Sequence, residues 1–221
     1  MQSSFSLIPS AAAAIHATLS PERMAKYLSQ ARGNHDLAVR LYYWNCQLCG
    51  AFYGPINYAE VAVRNAIAMP LASRFGPAWH RSSKLFGILD ARKQAELASA
   101  IGKESRQHGA GMTAHHVTSA LTFGFWVGLM AASYDRHLWA TGTRRSFPHA
   151  AAGEDRASIH RKIDRVRQIR NDVMHYRSVF DKAPRRRLAE IEAVIGLICP
   201  DTQFFISHNH ELELVISQKP S

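Results

Sequence analysis

The stretch IHRKIDRVRQIRNDVMHY, residues 159–176, decides the fold and carries the most distinctive chemistry of the chain. Its apolar residues recur at steps of three and four, which is the period of an α-helix with one buried face. These residues are Ile159, Ile163, Val166, Ile169 and Val173. Most of the other positions are polar, and many are basic. The stretch therefore predicts an amphipathic helix whose apolar side packs into a core.

The end of this stretch combines an arginine, an amide and a histidine: Arg170, Asn171 and His175. On a helix Asn171 and His175 lie one above the other, and Arg170 lies one step around, at the edge of the apolar stripe. Such a set is suited to holding and cleaving a phosphodiester. The alternative is a surface helix with solvated charges. A second pair with the same spacing, Arg144 and His149, lies in a Gly/Thr/Ser/Pro-rich stretch that does not favour a helix.

Length and charge limit the class of protein. The chain has 221 residues, 47% of them hydrophobic, so it predicts one domain with a substantial core. Its formal net charge is +10, and residues 154–187 contribute eleven Lys/Arg against five Asp/Glu, an excess of six. More than half of the net charge thus surrounds the motif, which favours a polyanionic partner, nucleic acid before an anionic membrane, since no amphipathic terminal segment is evident.

The remaining pattern predicts an all-α protein, because amphipathic stripes recur and no long alternating pattern is present. Residues 1–19 are predicted to be a flexible N-terminal arm, and residues 20–221 a single helical domain. Its segments are helices over 20–32, 36–74, 89–108, 113–139, 154–180 and 184–198, with a connector over 81–87 and a loop over 141–153. Helices within residues 184–217 are expected to pack on the domain.

Three cysteines and the apolar runs bear on location and on metal binding. Cys46 and Cys49 form an isolated C-x-x-C inside an aromatic helical run, which favours buried thiols in a reducing cytoplasm over a redox or metal site. His208 and His210 have no partner set of known ligand spacing, so no metal and no cofactor is predicted. The N-terminus lacks the pattern of a secretory signal, and no apolar run is long enough to cross a membrane.

Four motifs occur in order along the chain and together resemble a known family. They are Leu41-Tyr42-Tyr43-Trp44-Asn45, Glu60-Val61-Ala62-Val63-Arg64-Asn65-Ala66, Leu121-Thr122-Phe123-Gly124-Phe125-Trp126-Val127-Gly128-Leu129 and Arg170-Asn171-Asp172-Val173-Met174-His175. The chain resembles Abi-like (abortive infection) proteins of the HEPN superfamily over about residues 20–200. Related proteins often continue the last motif with His-Glu, whereas Tyr176-Arg177 follow it here.

The resemblance implies a HEPN-type helical bundle with additional peripheral helices. It implies a metal-independent endoribonuclease that acts as a toxin or antiphage effector, with a nearby antitoxin, protein or RNA, as a further partner. Arg170, Asn171 and His175 would form the catalytic set, completed by the same motif of a second protomer in a homodimer. The alternative is a non-catalytic RNA- or protein-binding HEPN module that regulates a partner.

Two further groups of residues are assigned to this function. The first is expected to support the catalytic set and comprises Glu60, Arg64, Asn65 and Tyr176. For Glu60 and Arg64, which are four residues apart on a helix, a plain structural ion pair is the alternative. The second group is expected to follow an RNA backbone, with solvated surface charge as the alternative, and comprises Arg161, Arg165, Arg167, Arg177, Arg185, Arg186 and Arg187.

Overall fold

A computed structural model describes residues 8–221, which form eleven α-helices, several short 3₁₀ or π turns and no β-strand. The predicted all-α class is therefore confirmed. The first three helices are α1 (Pro9–Leu19), α2 (Pro21–Gln30) and α3 (His35–Phe75). The side chain of Ser20 accepts a hydrogen bond from the Arg23 amide, and the side chain of Asn34 accepts one from the Leu37 amide, so each caps the helix that follows it.

The predicted flexible arm is wrong for residues 9–19, because they form α1, which packs on α2 and α3. Its sequence is rich in alanine, the strongest helix former, and Pro9 occupies the first helical turn, where its missing N–H costs nothing. Ala12 is buried. The part of the predicted arm that precedes residue 8 lies outside the described residues.

The central helix is α3, whose 41 residues continue through Pro55 and Pro70. One face of α3 is buried along almost its whole length and includes Leu41, Leu48 and Phe52. Helices α1, α2, α8, α9 and α11 all contact it. Because α3 spans about 60 Å at 1.5 Å per residue, it determines where the other helices lie.

The middle of the chain is more interrupted than its sequence predicts. It contains α4 (Ser83–Ile88), α5 (Ala91–His108), α6 (Ala114–Ala120) and α7 (Phe123–Gly128). The predicted connector over 81–87 is mostly helical, because α4 begins within it at Ser83 and ends just beyond it at Ile88. The predicted helix over 113–139 breaks at Thr122, whose backbone is extended and whose hydroxyl caps α7 by accepting from the Phe125 amide at 3.1 Å. The predicted loop over 141–153 contains a short 3₁₀ turn, Thr143–Ser146.

The last four helices are α8 (Arg156–Met174), α9 (Pro184–Gly196), α10 (Pro200–Ser207) and α11 (Leu212–Ser217). Helix α8 packs against α3, α7 and α9, so the predicted segments 36–74 and 113–139 both contribute to its packing. Helix α7 supplies Phe123, Phe125 and Trp126, all fully buried, to the same core. The C-terminal helices α9 and α11 contact α3, and α10 contacts α9.

Candidate active site and basic cleft

Helix α8 has the apolar stripe that its sequence predicts, but it spans Arg156–Met174 and does not continue to residue 180, because a cap at residues 175–177 ends it. The carboxylate of Asp155 caps its start by accepting a hydrogen bond from the Ser158 amide at 2.7 Å. All five residues of the predicted apolar stripe are buried, with at most 4% of each exposed. They hold α8 in the core, so the last turn of the helix, which carries the motif, has a defined position against α3.

The helix ends at His175, which is exposed and occupies the C-cap position. Its backbone N–H donates to the Asn171 carbonyl at 3.1 Å, which keeps these two residues one turn apart. The amides of Tyr176 and Arg177 then donate to the carbonyls of Val173 and Asp172, the two hydrogen bonds of a Schellman cap. Tyr176 occupies the left-handed position of this cap with φ 53°, where glycine is usual, so the backbone is strained immediately after His175.

Arg170 is oriented by Glu60 of α3. Its Nε lies 3.1 Å from Oε2 of Glu60, and both side chains are partly buried, with 31% and 23% exposed. The two terminal nitrogens of the guanidinium make no hydrogen bond within the described residues. A guanidinium held through Nε presents these terminal nitrogens as a fork, which is the geometry that binds a phosphate.

The other predicted support residues of α3 do not join this pair. Glu60 forms its ion pair with Arg170 and not with Arg64, whose Nε is buried without a hydrogen-bond partner within residues 8–221. Asn65 lies about 140° around the helix from Glu60, is exposed and lines a separate cavity. The structural ion pair between Glu60 and Arg64 is therefore wrong, and Asn65 is not part of the support.

The segment after His175 is held by Asn45 of α3, a residue that the sequence analysis did not assign a role. Asn45 is 1% exposed; its Oδ1 accepts from the Val179 amide at 2.8 Å, and its Nδ2 donates to the Arg177 carbonyl at 3.2 Å. The available signal was a polar residue among the buried positions of an apolar stripe, between Leu41 and Leu48. A buried amide with both ends bonded to backbone fixes that backbone.

Helix α2 supports the same segment from a second side. The Arg23 guanidinium donates to the Tyr176 carbonyl at 2.9 Å, directly after His175. Lys26 forms an ion pair with Asp181. Asp172, inside the motif, pairs with Lys182 at 2.6 Å and with Arg177 at 3.4 Å. The connection between α8 and α9 is therefore tied to α2, α3 and α8.

Burial raises the pKa of the two neighbouring cysteines of α3. Cys49 is buried and Cys46 is half-buried, and both are free thiols. Burial, followed by the charges of Cys46 and Asp172, raises the pKa of Cys49 to about 11, and burial also raises the pKa of Cys46. A thiol with a raised pKa carries little thiolate at neutral pH, which agrees with the prediction of buried, unreactive cysteines.

Most of the arginines expected to contact RNA are engaged in ion pairs. Six of the seven pair with a carboxylate, at distances of 2.7–3.8 Å, and these are Arg165, Arg167, Arg177, Arg185, Arg186 and Arg187. Arg161 makes no ion pair within the described part of the chain. Glu190 of α9 alone pairs with Arg165, Arg186 and Arg187. The sequence excess of positive charge is therefore partly neutralised on the folded surface.

Three of these arginines nevertheless line a cleft of about 450 Å³ between α8 and the start of α9. The cleft also contains Lys182 and the carboxylates of Asp172 and Asp181. It follows the exposed flank of α8 towards the motif, because Gln168 and Asp172 both line it. We call it the basic cleft. The basic cleft reaches the motif through Asp172, and neither Asn171 nor His175 is among the residues that line it.

The remaining residues considered for metal binding are His208 and His210. Within residues 8–221 no group of three or more His, Cys, Asp or Glu side chains is placed to hold a metal ion. His208 lies at the end of α10 against Phe204, and His210 faces Glu192 at 3.8 Å. Among the described helices, none combines the length and apolar character needed to cross a membrane.

Comparison with known proteins adds no relative: no family model, no curated protein and no solved structure matches the chain.

Proposed function

We propose that the protein is a metal-independent HEPN endoribonuclease of the Abi-like family that acts in the cytoplasm as a toxin or abortive-infection effector against phage. One observation carries the proposal. At the end of α8, Glu60 orients the Arg170 guanidinium with its terminal nitrogens unbonded, and His175 stands exposed on the clamped segment that follows. This pair of groups matches what cleavage of a phosphodiester requires.

Each residue of the set has a distinct role in the proposed reaction. His175 accepts the proton of the ribose 2′-hydroxyl, or donates one to the departing 5′-oxygen, since an imidazole can act as a general base or a general acid. The 2′-oxygen attacks phosphorus as the bond to the 5′-oxygen breaks, which leaves a 2′,3′-cyclic phosphate and a 5′-hydroxyl. Arg170 binds the phosphate oxygens as their charge increases, and Asn171 orients His175 or a phosphate oxygen. DNA lacks the 2′-hydroxyl and is not a substrate.

A homodimer completes the site in this proposal. A single histidine cannot be base and acid in the same step, and Arg170 and His175 share no hydrogen bond within the described chain. Two copies related by a twofold axis would supply one histidine for each role. Mixing Arg170→Ala chains with His175→Ala chains tests this arrangement. Recovery of activity in the mixture supports a shared site, and cleavage by a strict monomer at every concentration contradicts it.

The basic cleft provides the path for the RNA backbone. Arg165, Lys182, Arg186 and Arg187 line it, and it opens beside the motif. Binding to phosphates releases counterions, so RNA affinity should fall steeply as salt concentration rises. A neutralising antitoxin, protein or RNA, would act by covering this surface or the motif.

The alternative is a non-catalytic module that binds RNA or a partner protein. The observation that favours it is that all residues of the basic cleft come from one chain, whereas Arg170 and His175 share no hydrogen bond within the described residues. This alternative predicts binding without cleavage, so a cleavage assay separates the two functions.

The deciding experiment compares purified wild-type protein with His175→Ala and His149→Ala in chelator-containing buffer. His149 is a matched control, because it is also exposed and also follows an arginine by five residues, outside any helix. We expect His175→Ala to lose at least about a hundredfold in RNA cleavage and His149→Ala to keep it, as expected for loss of a general base or acid. Equal activity of all three proteins would refute the assignment.

The wild-type and His175→Ala proteins can also be compared in cells by a growth assay. Induction of the wild-type protein should arrest growth, and the RNA ends produced should be 2′,3′-cyclic phosphates. His175→Ala should allow growth at an equal protein level. Growth arrest by the His175→Ala protein would favour the non-catalytic module.

A further inference from the structure

A cavity lies on the flank of α3 that faces away from Glu60. It measures about 810 Å³, within the range of sites that hold small molecules. Its walls are α3 from Ala62 to Arg74, the turn from Thr141 to Pro148, and the junction of α9 with α10 from Ile195 to Thr202. The α3 wall covers twelve residue steps, which is a length of about 18 Å.

The two ends of this cavity differ in chemistry. The first part of the α3 wall is mostly apolar, with Ala62, Ala66 and Met69 beside the polar Asn65. Ile195 and Ile198 add apolar surface to the cavity. Ser73 and Arg74 end the α3 wall, and Thr141 is hydrogen-bonded to Arg74. Arg145 and Ser146, on the turn that begins at Thr141, also line the cavity. A ligand that fills the cavity would therefore need an apolar body and a polar headgroup at one end.

The charge of the basic end specifies the sign of that headgroup. No Asp or Glu is among the residues that line the cavity. Arg74 donates to the His137 carbonyl and to Oγ1 of Thr141, which holds its guanidinium at the rim. Arg145 is exposed and makes no ion pair within the described residues. Two guanidinium groups without a facing carboxylate attract an anion, and a guanidinium pairs best with a planar or tetrahedral oxyanion.

We propose that this cavity, which we call the amphiphile cavity, binds an elongated amphipathic anion: an unbranched apolar chain that ends in a carboxylate. The tail lies along Ala62, Ala66 and Met69, and the carboxylate pairs with Arg145 at the rim. The site is separate from the motif, because Glu60 and Arg170 lie on the other flank of α3. The inference is independent of RNA cleavage.

Decanoate is the probe, and isothermal titration calorimetry of the full chain is the measurement. Three compounds serve as ligand controls: decanol lacks the charge, decyltrimethylammonium reverses it, and acetate lacks the tail. Decanoate should bind most tightly, and affinity should rise about fourfold for each methylene from hexanoate to decanoate. Acetate should show no measurable binding at the same concentrations.

Protein variants test each end of the cavity. Arg145→Glu should weaken decanoate binding by about tenfold or more, because it removes a charge-assisted pair and adds a repulsive charge. Arg81→Glu is the matched control, since Arg81 is exposed, lies outside the cavity and undergoes the same charge change. Ala62→Leu should weaken decanoate binding by filling the apolar end.

Each outcome of these titrations either supports the proposed site or overturns it. Preference for decanoate over decanol, with loss in Arg145→Glu but not in Arg81→Glu, supports the site. Equal binding of decanoate and decanol, equal effects of the two charge reversals, or no binding of decanoate overturns it. The His175→Ala protein should bind decanoate as the wild type does, whatever its effect on RNA cleavage.

Discussion

Replacing Asn45 by alanine tests the contacts that hold the segment after the motif, without changing a residue of the motif itself. The change removes the acceptor of the Val179 amide and the donor to the Arg177 carbonyl, which lie at 2.8 and 3.2 Å. Each hydrogen bond contributes about 1 kcal/mol net, and the Val179 amide, in a fully buried residue, loses a partner at an additional cost of about 1–2 kcal/mol. We expect the free energy of unfolding to fall by about 3 kcal/mol.

The assay is urea denaturation combined with hydrogen exchange of the Val179 amide. Asn34→Ala is the control, because Asn34 also accepts a backbone hydrogen bond from α3 but at its exposed start, where loss of a cap costs about 1 kcal/mol. Exchange at Val179 should accelerate beyond the global change only in Asn45→Ala. In the proposed ribonuclease, turnover should fall more than RNA affinity does, because His175 loses its position while the basic cleft remains.

Two results would refute this reasoning. The first is a loss of stability in Asn45→Ala no larger than that in Asn34→Ala. The second is unchanged exchange at Val179 relative to the global unfolding rate. Asn45→Asp adds a directional check, since burial raises the pKa of a carboxyl. Its destabilisation should shrink as the pH falls towards about 4, where a protonated carboxyl can again donate to the Arg177 carbonyl.

Three further predictions follow from the pairing and burial of single side chains. Glu190→Gln should raise RNA affinity at low salt by about threefold or more and steepen its salt dependence, because it frees three arginines. Fluorescence anisotropy should show a smaller effect for Glu213→Gln, which frees one arginine. Equal RNA affinities of the two variants would contradict this account. His80 is buried, and neither of its ring nitrogens has a hydrogen-bond partner among the described residues. Burial, and then the charge of Arg81, lowers the pKa of His80, so the unfolded chain binds a proton more readily than the folded chain as the pH falls below about 6.5. Urea titrations at successive pH values should therefore show stability declining below that pH, and the decline should be smaller in His80→Phe; parallel curves would exclude this role of His80. Trp44→Phe should lower the free energy of unfolding by about 1 kcal/mol and loosen α11, because the indole N–H donates to the Val215 carbonyl at 2.6 Å, and unchanged exchange in α11 would count against this tie.

The sequence by itself determined the helices that bury one regular stripe. The spacing of Ile159, Ile163 and Val173 is enough to specify α8, because a period of 3.6 residues is a local property of the chain. The same argument gave α3 and the all-α class. It failed where local chemistry competes with periodicity, as at Thr122, whose hydroxyl starts a new helix inside an apolar run.

Charge illustrates what composition cannot determine. The excess of six positive charges over residues 154–187 is real in the sequence, but it does not reveal that Glu190, which pairs with Arg186 and Arg187 of its own helix, also pairs with Arg165 of α8. That pairing depends on how α8 and α9 pack, since ion pairs form over about 4 Å between side chains that are 25 residues apart in the case of Arg165 and Glu190. Only the folded surface shows which positive charges remain available to RNA.

The candidate site also combines features that the sequence determines with contacts that only the tertiary structure decides. The sequence determined that Arg170, Asn171 and His175 share the end of one helix, because their spacing is local. The tertiary structure decided that Glu60 pairs with Arg170 and not with Arg64, that Asn65 faces a different cavity, and that Asn45 holds the segment after the motif. These are contacts between elements far apart in the chain, and they depend on the rotation and crossing of packed helices, which no local pattern encodes.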